Sequence, residues 1–267
     1  MSIAIVILNF NGKDFLAKFL PKVIETSPEG TIYVADNGSS DDSLTLLASD
    51  FPGVSVLSWA ENLGYAGGYN FALGQIKADY FVLMNSDIAP RMNWLQPLVA
   101  YFEANISVGA AQPYLLDYHK PDYFEYAGAA GGFWDSYGYP FCRGRLFDTL
   151  EKNESQYATS IVNWATGACL MVRAEAFHKV SGLDPYLFAH MEEIDLCWRL
   201  KNRGYKVGAC RESKVYHYGG GTLDRQSPFK TYLNFRNNLY MLVKNYHTSN
   251  LRLKLVRRML LDGVAGF

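Results

Sequence analysis

Four places in this chain carry side chains whose types and setting could do chemistry. Asp36 follows the apolar run Ile32–Ala35 and precedes Asn37-Gly38-Ser39-Ser40, a turn with a capping residue, so its carboxylate is expected at the carboxyl end of a strand. A carboxylate there can accept an N–H, and uracil and thymine offer one at N3; guanine is not excluded, and an Asp that only holds the turn fits as well. Asn85-Ser86-Asp87 closes the apolar run Tyr80–Met84. One carboxylate plus the phosphates of a nucleotide sugar would leave water positions on Mg2+ or Mn2+, which suits the reluctance of Mg2+ to dehydrate, although the same residues also make an ordinary turn. Glu192 and Glu193 open the segment Met191–Arg199, where acids in a first helical turn answer the helix dipole. Because Tyr186–His190 before them is aromatic-rich, one carboxylate could instead be desolvated and serve as general base toward a hydroxyl. His217 follows the run Lys206–Tyr216 and precedes Tyr218-Gly219-Gly220-Gly221-Thr222; its imidazole could share a divalent cation with oxygen ligands, and a structural histidine is the bland alternative.

These residues need a frame that brings them together. Ile3–Leu8, Ile32–Ala35, Val54–Leu57 and Tyr80–Met84 are short apolar runs, and the amphipathic segments Phe15–Ile24, Leu44–Leu47 and Ala66–Ile76 separate them. The pattern predicts β-α-β-α-β-α-β, a parallel, doubly wound α/β sheet that binds ligands beyond the carboxyl ends of its strands. Asn9-Phe10-Asn11, Asp36-Asn37-Gly38 and Asn85-Ser86-Asp87 all lie at such ends. Glu61–Asn70 combines glycines and amides ahead of a helix, so it could touch phosphate, but it has neither Walker spacing nor a dinucleotide fingerprint.

From about Tyr114 the pattern becomes mixed. Tyr123–Phe147 reads as hairpins and loops, Ser160–Trp164 and Cys169–Val172 as strands, Ala174–Val180 and Glu192–Arg203 as helices, and Lys206–Tyr216 as a strand. Asp195 and Arg199, four apart, fit a helix-surface or buttressing pair. Near the end, Leu251, Leu255, Val256, Met259 and Leu260 recur at helical spacing beside Arg252, Lys254, Arg257 and Arg258. Such a helix could rest on an anionic membrane, and ordinary packing accounts for it equally.

The chain has 267 residues, 49% hydrophobic and 19% charged, enough for a full core. A formal charge of −1 provides no field for nucleic acid, so a polyanion would need a local site. Cys142, Cys169, Cys197 and Cys210 lack zinc or redox spacing and read as reduced thiols. Ile3–Leu8 reads as a strand, not a leader, and no apolar run approaches the roughly 20 residues of a spanning helix. A cytoplasmic location is expected, at the inner face of a membrane if the C-terminal helix makes contact.

In order, Ile5–Asn11, Val34–Asp41, Asn62–Asn70, Leu83–Asp87, Gly167–Cys169, Phe188–Arg199 and His217 with its glycines resemble family 2 glycosyltransferases of GT-A fold, particularly rhamnosyltransferase-like members. The resemblance covers about residues 1–245. It implies that Asp36 binds the nucleobase, framed by Asn9 and Phe10, with Asn62 and Gly64 lining the nucleotide pocket. It implies that Asp87 and His217 hold Mg2+ or Mn2+, with Asn85 where the family's first metal-motif Asp often stands. Glu193 takes the position of the usual base, as Glu where the family has Asp, which leaves Glu192 as a second candidate. The implied reaction is inverting transfer of a sugar, rhamnose among the candidates, from a UDP- or dTDP-linked donor to a glycan or lipid-linked glycan, in bacterial-type surface polysaccharide synthesis. Trp164 is the candidate acceptor contact, because sugars stack on aromatic faces. The expected division is 1–113 for the nucleotide sugar, 114–222 for acceptor and catalysis, and 223–267 as a helical segment. The alternatives are a sugar-nucleotide pyrophosphorylase, for which Asn9–Lys13 has too few glycines, and a binding module without turnover.

Overall fold

The computed structural model describes residues 1–219, 228–247 and 249–265. Its first part follows the expected alternation: β1 (Ile3–Asn9), α1 (Lys13–Thr26), β2 (Thr31–Asn37), α2 (Ser43–Asp50), β3 (Ser55–Trp59), α3 (Gly64–Leu73) and β4 (Tyr80–Asn85). β1 pairs in parallel with β2 on one side and β4 on the other, and β3 extends β2. The side-chain period of two distributes these strands between two cores. Ala4 and Val6 join Tyr69, Phe81, Phe177 and Trp198 on one face, while Ile3, Ile5 and Ile7 join Leu16, Leu20, Trp94 and Phe102 on the other. Each of the larger aliphatic side chains so enclosed contributes roughly 1.5–3 kcal/mol, which is why the strands are apolar on both sides.

The remainder comprises β5 (Ile88–Pro90), α4 (Leu95–Ala104), β6 (Val108–Asp117), β7 (Gly132–Trp134), β8 (Pro140–Cys142), β9 (Arg145–Leu146), β10 (Thr149–Leu150), β11 (Ser160–Val162), β12 (Cys169–Arg173), α5 (Ala174–Lys179), α6 (Glu192–Asn202), β13 (Lys206–His217), α7 (Pro228–Asn245) and α8 (Leu251–Ala265). The main sheet runs β11-β13-β6-β12-β4-β1-β2-β3, with β5 on β13. It is largely parallel, with β12 inserted antiparallel between β4 and β6. β6 crosses residues 113–114, so both halves of the chain share this sheet. α7 packs on α6, and Trp134 stacks on Trp198 with ring centroids 4.3 Å apart.

Strand direction positions the site. β12 opposes β4 with Cys169 against Met84, so the loop before β12 lies at the carboxyl edge of β4. β13 runs parallel to β6 and ends at His217, which faces Ile88 of β5, next to Asp87. Segments far apart in sequence therefore meet at one sheet edge.

Candidate active site

At the carboxyl ends of β1 and β2, Asp36 is buried and already engaged. Its Oδ2 accepts from Asn9 Nδ2 at 2.9 Å, and its Oδ1 accepts from the Ser39 backbone N–H at 3.0 Å. It therefore holds the turn, and because a carboxylate has about four lone-pair sites, it retains acceptor capacity. Asn9 Oδ1 is buried with no partner among the described residues. Phe10 projects beside it, 41% exposed. Asn37, absent from the expected site, is the local hub: its Nδ2 donates to Asn62 Oδ1 (2.9 Å) and the Gly64 carbonyl (3.0 Å), while its Oδ1 accepts from Trp59 Nε1 and the Leu63 N–H. Gly64 is not an open pocket wall. It has φ +71° and lies beneath Phe188, whose carbonyl would sit 2.8 Å from any added Cβ and which accepts from the Tyr65 N–H.

At the end of β4, Asp87 Oδ1 and His217 Nε2 are 3.2 Å apart, and Asp87 Oδ2 accepts from the Gly219 N–H. His217 Nδ1 lies 3.3 Å from Glu125 Oε1, an ion-pair distance without hydrogen-bond alignment. Burial alone would lower the imidazole pKa, but the two carboxylates prevail and push it up to about 10. No group of three or more His, Cys, Asp or Glu side chains suited to a metal occurs among the described residues. The pair nevertheless fits a hard divalent cation. With metal bonds of about 2.0–2.1 Å, adjacent octahedral ligands lie about 3 Å apart, close to the Asp87–His217 separation. Glu125 faces the other ring nitrogen, as outer-shell carboxylates do behind metal-bound histidines. Its only trace in the sequence is a single acid inside the aromatic stretch Tyr123–Tyr126. Asn85 donates its backbone N–H to the Ala168 carbonyl, which ties β4 to the loop before β12. Gly220–Thr222, which belong to the expected glycine stretch, lie outside the described residues.

The acidic pair approaches from the other side of that loop. Gly167 accepts at its carbonyl from Tyr65 Oη (2.7 Å), and a Cβ placed on Gly167 would lie 3.5 Å from Glu193 Cβ. Burial raises the Glu193 pKa, opposed by backbone N–H groups that include that of Gly167. Glu192 is more deeply buried, and its Oε2 has no partner among the described residues. Burial and then the neighbouring Glu193 charge hold its carboxyl well above the usual range. The turn leading into the pair is strained, with Phe188, His190 and Met191 at φ +59°, +68° and +73°.

α7 holds that turn from outside. Buried Asn237 donates through Nδ2 to the carbonyls of Leu187, Ala189 and His190 at 2.8–2.9 Å. Asp195 pairs with Arg199 at 2.7 Å, as expected, and also accepts from Lys244 and Asn245. Asn237 was not among the expected residues. Its signal is an amide placed four residues from both Leu233 and Met241, on the helix's buried face.

Trp164 belongs to the core instead of presenting an open stacking face. It is 7% exposed, covers Gly132 so closely that an added Cβ would meet the ring at 1.8 Å, and donates its N–H to the Phe133 carbonyl.

The sequence profile of glycosyl transferase family 2 matches residues 4–180. The chain belongs to this family. This glycosyltransferase is 26% identical over 234 residues to an N-acetylglucosaminyl-diphospho-decaprenol L-rhamnosyltransferase of Mycobacterium tuberculosis, covering 80% of this chain and 75% of that protein. It is 25% identical over 223 residues to the rhamnosyltransferase WbbL of Escherichia coli, covering 80% and 82%. Its GT-A fold matches the crystal structure of GalNAc-T7 with UDP, GalNAc and Mn2+ at a TM-score of 0.71 and 16% identity. That match covers 91% of this glycosyltransferase and 47% of the other chain, so it spans about half of that protein. Among the described residues no helix is long and apolar enough to cross a membrane.

Proposed function

We propose that this glycosyltransferase moves a sugar, rhamnose by analogy with its curated relatives, from a pyrimidine nucleotide diphosphate to a hydroxyl of a lipid-linked glycan, with inversion. The observation that carries the reading is convergence: Asp36–Asn9, Asp87–His217 and Glu193 lie around one sheet edge. Asp36, Asn9 and Phe10 hold the base, where the remaining acceptor capacity of Asp36 suits the N3–H of uracil or thymine. Asp87 and His217 would hold Mg2+ or Mn2+, which when bound neutralises charge on the leaving diphosphate.

Glu193 takes the acceptor proton. Glu192 is the worse candidate, because burial and the Glu193 charge hold its carboxyl well above the usual range, whereas at Glu193 backbone N–H groups, that of Gly167 among them, oppose the smaller rise that burial causes. With Glu193 taking the proton of an acceptor hydroxyl on the face of the anomeric carbon opposite the diphosphate, the acceptor oxygen bonds that carbon as its bond to the diphosphate breaks, a single displacement that inverts configuration.

The C-terminal helix supports contact with a membrane that presents the acceptor. α8 docks through Leu255, which packs against the core, and through charge: Arg258 is buried over the Tyr139 ring and donates to the Tyr137 carbonyl, and Lys254 donates to the Ser136 carbonyl. Its apolar residues Leu253, Val256, Leu260 and Val264 face outward, beside exposed Arg252 and Arg257. Ordinary packing would turn the apolar side inward.

A nucleotide-sugar panel scored by donor hydrolysis tests the proposal. UDP- or dTDP-linked donors should be turned over with Mn2+ or Mg2+ and protected by chelator; turnover indifferent to chelator, or confined to purine donors, contradicts it.

A further inference from the structure

Away from the sheet edge that carries the candidate active site, β13 has a gap along one side. β11 pairs with Val207–Ala209 and β5 with Val215–His217. β6 pairs with β13 along its opposite side, so both short strands lie on the same free edge. Between them, residues Cys210–Lys214 bulge out of register with β6. The bulge is fixed in place: fully buried Ser213 donates through Oγ to the Trp94 carbonyl at 2.5 Å, the Arg91 N–H donates to the Lys214 carbonyl, and the Arg211 N–H donates to Thr159 Oγ1.

Over this gap lies a cavity of about 470 Å3 lined by Arg91, Met92, Trp94, Arg211, Glu212 and Lys214. Three cations thus share one concavity with one carboxylate, and that carboxylate is turned to Thr159 Oγ1 at 2.5 Å. Among the described residues, none of the three cations makes an ion pair within 4 Å. Holding three cations beside a single carboxylate costs free energy, and in a chain of net charge −1 no global field requires it. Burial, followed by the charges of Arg91 and Arg211, lowers the pKa of Lys214, and the Glu212 charge opposes that shift without reversing it.

We propose that this notch is a second anion site that takes a diphosphate group, separate from the donor's diphosphate at Asp87 and His217. Two guanidinium forks suit phosphate oxygens, and the lysine adds a point charge. The uncompensated double positive charge matches a diphosphate better than a singly charged phosphodiester. A diphosphate could arrive on a lipid carrier or free in solution, whereas a membrane headgroup would bring a phosphodiester.

The test is calorimetric titration of the full chain with inorganic pyrophosphate and, separately, with glycerophosphoglycerol. It is run in chelator and in an Asp87→Ala background, so that the donor site does not contribute. Pyrophosphate should bind saturably, and Arg91→Gln/Arg211→Gln/Lys214→Gln should weaken it at least about tenfold. In the native background, that triple variant should retain metal-dependent donor hydrolysis, which verifies its fold. Unchanged pyrophosphate affinity in the triple variant overturns the proposal, as does glycerophosphoglycerol binding more tightly than pyrophosphate.

Discussion

The two sides of the candidate site are held by different physics. On the sheet side, Asp36, Asn9 and Asp87 sit at the ends of parallel strands whose register is fixed by buried, alternating apolar residues. On the other side, Glu192 and Glu193 follow a turn with three non-glycine residues at positive φ, and side chains of α7 some 50 positions away hold it. A sheet edge positions its residues through the backbone, whereas the strained turn keeps its geometry only while α7 overdetermines it. Residues 228–245 lie beyond the 4–180 segment that matches the family profile. The acidic pair and the helix that clamps its turn thus both lie outside the segment the family profile matches.

Breaking each side should give different signatures. The largest effect is expected at Glu193: Glu193→Gln should lower kcat by about 10²–10⁴-fold, the usual worth of a general base, with donor affinity retained in equilibrium titration. Next is Asn237→Leu, which leaves three carbonyls without their donor at a cost of about 2 kcal/mol. It should lower kcat and Tm but leave the donor KM unchanged, whereas Asp36→Ala should raise the donor KM with less effect on kcat. Equal shifts of KM in both variants would dissolve the distinction between the two sides.

Much of the sheet side was legible because its signals are local. Ile3–Leu8 and Tyr80–Met84 are runs buried on both faces, and the Asp36 turn announces itself through Asn37-Gly38-Ser39. β6 was not legible: Val108–Asp117 is buried over nearly its whole length, contains small residues, and carries Pro113 where β13 bulges, so no alternation remains. α4 was missed as well, since Pro97 stands inside its first turn. Glu125, Asn37 and Asn237 were invisible for another reason. Their roles depend on contacts 22–92 positions away, and a lone polar residue in a sequence does not name its partner.

A smaller effect sharpens the roles within the acidic pair. Because the folded-state pKa of Glu192 is raised by burial and by Glu193, stability is fully present below the ordinary value of 4.5 and is lost as pH rises through the folded value. Glu192→Gln removes that loss, so it should raise Tm at neutral pH and have little effect below pH 4.5. A Tm difference that grows on acidification would reverse the assignment.

The smallest effect is expected at α8, where Leu253→Glu/Leu260→Glu should reduce flotation with anionic liposomes and leave donor hydrolysis intact. The central claim, that the cation-holding pair and the base serve one reaction, is tested most directly by measuring Mn2+-dependent donor binding and sugar transfer together in Glu193→Gln. The account predicts binding close to native with transfer reduced at least about 100-fold. Transfer at the native rate would contradict it.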